Sequence, residues 1–142
     1  MEQRDYILRE IEKIGVVLSA ILQKFFGGKD NLAITLEARI EDSKGMLLNE
    51  INFDLDKFLE LNVENSNEYI CSLDGFNIEN MELLAEYLYQ IGLNDIGGSS
   101  KKHLEKALQL YELCNLKSKT YSFERETNIK AIKNVLNVFN SQ

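Results

Sequence analysis

From Ile7 to Phe25 the apolar residues Ile7, Ile11, Ile14, Leu18, Ile21 and Phe25 step by four, three, four, three and four. That is the spacing of a continuous helix stripe. It runs straight through the charged opening, where Glu2, Asp5, Glu10 and Glu12 interleave with Arg4, Arg9 and Lys13. A secretory leader has a basic start without acids and an apolar core that does not extend through it. A membrane span needs about 20 mostly apolar residues, and Gln23-Lys24 breaks this run too early. The segment therefore reads as a long amphipathic helix contributing Ile11, Ile14, Leu18, Ile21 and Phe25 to a core. It is ended by Gly27-Gly28, which supply a left-handed cap. Val16, Val17, Ala20, Leu22 and Phe26 make its second half apolar nearly all round, so these five residues are a candidate self-association face in a homodimer.

The chain has 142 residues and no proline. Sandwiches and barrels use proline in their turns, whereas helix interiors reject it. Helical patterning continues to the end. A second helix is expected from Asp30 or Asn31 to about Asn49, on Leu32, Leu36, Ile40 and Leu47. Two short amphipathic turns follow, anchored by Leu55, Phe58 and Leu59 and then by Tyr69, Ile70 and Leu73, and Asp74-Gly75 makes a turn. Longer helices are expected at Ile78 to Leu93, at Ser100 to Leu116 and from Ser122 to about Phe139. The last has Glu124 and Glu126 in its first turn, where the helix dipole favours anions. The fold class is all-α: five long helices and one or two short ones in a single domain over 1–142. Its N-terminal helical part is 1–76, and a hairpin and C-terminal helix fill 77–140.

Several chemistries find no footing. Cys71, Cys114 and His103 are scattered, so no metal set forms and no cofactor is expected. His103 has no nucleophile or orienting acid near it in sequence, and Asp54/Asp56 and Glu124/Glu126 point apart at helix starts. No enzyme is expected. The net charge is −7, polarised as +1 over residues 1–29, −12 over 30–98 and +4 over 99–142. An acidic total opposes nucleic-acid binding; the acidic middle and basic end could pair with each other. Neither nucleic acid nor membrane is expected as a partner.

Two candidate surfaces remain. Tyr87, Tyr89 and Tyr111 are candidate contacts for a protein or peptide partner, Tyr87 lying off the main stripe of its helix and half exposed in a groove; rings packed in the core with wetted hydroxyls explain the same residues. The stretch "IGGSSKKHLEKAL" puts glycines, Ser99, Ser100, Lys101 and Lys102 before a helix, where free N–H groups attract anions. It lacks the order of a P-loop, and a serine N-cap explains the same residues.

"LLAEYLYQIG" followed by "HLEKALQLYEL" resembles one tetratricopeptide (TPR) hairpin, with Leu84-Ala85 as the large-small pair, then Leu88, and Leu104 and Ala107 on the second helix. The loop is longer than the repeat's, Ser100 stands where alanine is usual, and the closing proline is missing. With "RDYILREIEKIGVVLSAIL" and "DLDKFLEL…NEYICSL", the layout over residues 4–140 resembles an uncharacterised bacterial family of small all-helical, TPR-like proteins. The resemblance implies a helical fold and a bacterial cytoplasmic origin, and no activity. The leading expectation is a non-enzymatic protein-interaction module. The alternative is a small-molecule or anion-binding regulatory domain using the helix start at Gly97–Lys102.

Overall fold

Seven helices and no strand account for the regular structure of residues 2–27, 35–94 and 99–140, which this computed structural model describes. They are α1 (Glu2–Phe26), α2 (Leu36–Ile51), α3 (Leu55–Glu60), α4 (Val63–Cys71), α5 (Ile78–Asn94), α6 (Ser100–Lys117) and α7 (Phe123–Asn140). The all-α expectation holds, and α5, α6 and α7 start or stop within a residue or so of the bounds read from their stripes. α2 starts at Leu36, with the Thr35 side chain capping Ala38 N–H. Its expected start at Asp30 or Asn31 lies outside the described residues, as do Leu32 and Gly28.

The α1 stripe buries as its spacing demands. Ile14, Leu18, Ile21 and Phe25 are buried, and Ile7 and Ile11 are half-buried. α1 packs on α2 and α5. Two polar side chains pin it. The Arg39 guanidinium donates to Phe25 O at 3.0 Å, a cation at a helix C-terminus. Closer to the middle of α1, Asn80 Nδ2 donates to Ile11 O at 2.9 Å and to Gly75 O at 2.7 Å. Gly75 has no alternative here: a Cβ would sit 2.4 Å from Ile14 Cδ1 and 2.7 Å from Glu10 O.

Asn52 ends α2 in the left-handed region (φ 56°), an asparagine helix cap. The turn sends Phe53 inward, where its ring lies 5.4 to 5.7 Å from those of Phe58, Tyr69 and Phe76. This aromatic knot seats the two short helices.

α5 and α6 form an antiparallel hairpin, the most extensively packed pair in the molecule. At its closed end the Ser100 hydroxyl donates to Gly92 O at 2.5 Å, and a Cβ on Gly92 would collide with Leu104. At the open end the Cys114 thiol reaches Ile78 O at 3.7 Å. α7 returns along α6, tied by Arg125 Nε to Asn115 Oδ1 at 2.6 Å and Asn128 Nδ2 to the Tyr111 hydroxyl at 3.3 Å. Arg125 is 4% exposed and also donates to Glu82 at 2.6 Å, which joins α7 to α5. The α7 start is capped as its sequence suggests, Arg125 N–H donating to the Ser122 hydroxyl at 3.1 Å. Among the described residues no helix is long and apolar enough to cross a membrane. Cys71 and Cys114 are both free thiols.

Candidate functional site

α6 is the hub. Its core side carries Leu104, Ala107, Leu110 and Cys114 without solvent exposure. Its flanks meet α7 and the α3–α4 pair. One lane along it stays open between those flanks, and it forms a trough of about 710 Å³ open to solvent along one side.

The trough's walls are apolar. Leu61 and Val63 stand on the α3–α4 side and Leu108 and Leu136 towards α7, with Leu113 and Leu116 on α6 itself. Two of these are strongly exposed for their type, Leu116 at 83% and Val63 at 60%. Glu105, Gln109 and Glu112 lie along the α6 floor. At the N-terminal end of α6, Lys102 Nζ bonds Glu60 Oε1 at 2.6 Å across to α3. The other end opens at Leu116.

The α4 wall is held by polar pins. Lys106, only 6% exposed, donates to Leu61 O at 2.6 Å, to the Ser66 hydroxyl at 3.0 Å and to Gln109 Oε1 at 3.4 Å. Three acceptors match the three hydrogens of an ammonium. Gln109 Nε2 in turn donates to the Ser66 hydroxyl, to Val63 O and to Asn67 Oδ1. Lys106 also lies 5.2 Å over the Phe58 ring. Burial pulls the Lys106 ammonium below the ordinary lysine value, with Glu105 opposing and Lys102 adding to the effect.

Of the tyrosines expected as partner contacts, Tyr87 and Tyr111 need correcting. Tyr87 has no solvent exposure and Tyr111 has 2%, while Tyr89 is half-buried. The Tyr87 hydroxyl shares a 2.5 Å hydrogen bond with Ser43 on α2, and Phe26 packs edge-on to its ring with centroids 6.0 Å apart. The physical reason is that α5 is covered on more than one side, by α1 and α6, with α2 reaching Tyr87 as well. A ring off the main stripe therefore still meets protein. Burial raises both the Tyr87 and Tyr111 phenols, and pushes the Cys114 thiol up to about 12.

The α1 face is divided. Val16 is 62% exposed and Ala20 is exposed, but Val17, Leu22 and Phe26 pack against the core. At the α6 start, Gly97 and Gly98 lie outside the described residues. Ser100 is buried and spends its hydroxyl on Gly92 O, and Lys102 pairs with Glu60. Lys101 and Ser99 are exposed, and Ser99 makes no side-chain cap bond. His103 is buried, with Nδ1 2.8 Å from Ser99 O. The Ser100 and His103 bonds belong to the hairpin turn, whereas Lys102 reaches across to α3. Among the described residues no group of three or more His, Cys, Asp or Glu could hold a metal ion.

Sequence reading missed the trough, although part of its signal was present. Leu113 and Leu116 fall off the stripe of Leu104, Ala107, Leu108, Tyr111 and Cys114, which leaves α6 apolar groups beyond its core face. Lys106 carries no such signal, because a lone lysine in a helix reads as solvated. No protein-family model, no curated protein and no solved structure matches this chain.

Proposed function

We propose that this chain is a non-enzymatic, cytoplasmic protein-interaction module of bacterial origin whose α5–α6 pair is a TPR-like hairpin and whose docking surface is the α6 trough. The observation that carries the reading is Leu116, a leucine 83% exposed at the open end of a trough already walled by leucine and valine. An exposed apolar lane between helices suits an amphipathic partner helix. Support for the TPR-like description comes from Leu84, Ala85, Leu104 and Ala107, all without exposure at the positions where that hairpin packs. The trough replaces the tyrosines as the contact surface.

A photo-crosslinking residue at position 116 tests this in cells. The expected result is one discrete adduct that disappears when Val63→Asp is added. No adduct, or the same pattern from a crosslinker at exposed Asp42 on α2, counts against the reading.

A further inference from the structure

The docking reading leaves the partner's chemistry open, and the charges on the trough floor narrow it. Four ionic groups line the space: Lys102, Glu105, Lys106 and Glu112. Lys102 is neutralised by Glu60, and Lys106 has its hydrogens committed to Leu61 O, Ser66 and Gln109. Glu105 and Glu112 are exposed and form no ion pair among the described residues. They are seven residues apart, so they sit on one face of α6 about 10 Å from each other. The exposed charge without an ion-pair partner that a ligand meets is therefore a pair of carboxylates two turns apart, with the buried Lys106 ammonium beside Glu105, flanked by Leu116, Val63 and Leu136.

We propose that the trough receives an amphipathic helix of a partner protein, with an apolar stripe against Leu116, Val63 and Leu136 and basic side chains seven residues apart over Glu105 and Glu112. From Lys102 to Leu116 the lane is about 21 Å long, room for about four helical turns. A heptad spacing of Lys or Arg beside a leucine stripe is the pattern by which helices select partners through flanking charges. This inference rests on the trough being the docking surface. It adds that the occupant is helical and basic, where an acidic or uncharged helix fits the same apolar walls.

Two synthetic peptides of about four turns decide it, both with leucines along one face, one with lysines and one with glutamates at the flanking positions. Binding to the full chain is read by fluorescence anisotropy. The basic peptide should bind about fivefold more tightly than the acidic one, the scale of two exposed ion pairs. Glu105→Lys with Glu112→Lys should reverse that order. Asp42→Lys with Glu50→Lys, the same change of net charge on exposed α2 positions, should leave it in place. Leu116→Asp should weaken both peptides. Equal binding of the two peptides, still weakened by Leu116→Asp, overturns the charge inference and leaves the docking reading standing. A preference that survives Glu105→Lys/Glu112→Lys, or is lost equally in the α2 variant, overturns it as bulk attraction. Failure of both peptides to bind, or binding indifferent to Leu116→Asp, overturns the docking reading as well. A wild-type dimer in sedimentation velocity that Leu116→Asp makes monomeric overturns the partner helix in favour of a second copy.

Discussion

α6 is held on two sides by opposite means. Towards the core it presents Leu104, Ala107, Leu110 and Cys114, all without exposure, and packs most extensively on α5. Towards α4 it presents Lys106 and Gln109, which meet Ser66, Asn67 and the carbonyls of Leu61 and Val63. The apolar side draws on area removed from water, which scales with contact and tolerates no gap. The polar side draws on hydrogen bonds, each contributing about 1 kcal/mol net, whose geometry fixes position more than it adds stability. An edge fixed by a few such pins need not be filled in, and the trough lies beside that edge.

The comparison predicts unequal costs, and the core side should show the largest. Leu88 on α5 has no exposure, and truncating it leaves a cavity in close-packed surroundings. Leu88→Ala should lower unfolding stability by about 3 kcal/mol in urea titration. A loss no greater than that of the polar-side variant below breaks the comparison.

How much could be read in advance follows the same division. The stripes of α1 and α7 bury one dominant face, and periodicity finds such faces; hence Ile14, Leu18, Ile21 and Phe25 are where their spacing puts them. α6 is buried on several sides, from Ser100 and His103 through Lys106 to Leu113. No single period describes a helix with neighbours on several sides. Tyr87 on α5 shows the same thing, since Ser43 of α2 and Phe26 of α1 both reach it. Lys106 left no trace in the sequence because its partners lie 45 and 40 residues away, at the end of α3 and on α4, beyond the Asn52 cap and the aromatic knot around Phe53. A tertiary fold must exist before a lysine there has anything to donate to.

On the polar side, Lys106→Met should cost about 1 kcal/mol at neutral pH. The variant leaves Leu61 O without its donor but also removes a desolvated charge. Its sharper signature is in alkaline solution. The folded-state value of Lys106 lies below the ordinary 10.5. Between that lowered value and 10.5 the unfolded chain holds a proton that the folded chain has released, so stability rises with pH across the window. Below the window both states are protonated and the full cost of burying the charge is present. The advantage of the wild type over Lys106→Met should therefore widen as pH climbs towards 10.5, in paired urea titrations. The other groups titrating there, Cys114 among them, are common to both proteins and cancel. A constant or shrinking difference shows that the ammonium is not desolvated, and the polar side then behaves as ordinary surface.

The smallest effect belongs to the trough itself. Leu116 contributes little to the fold at 83% exposure, so Leu116→Asp should change unfolding stability by no more than about 0.5 kcal/mol. Set beside Leu88→Ala, two leucines one helix apart should differ severalfold in what they do for stability. They should differ in the reverse sense for binding, where Leu116 is the residue that matters. A large destabilisation by Leu116→Asp means that the leucine is covered in solution by part of this chain. The open lane would then be a closed seam of the fold, with no room for a partner.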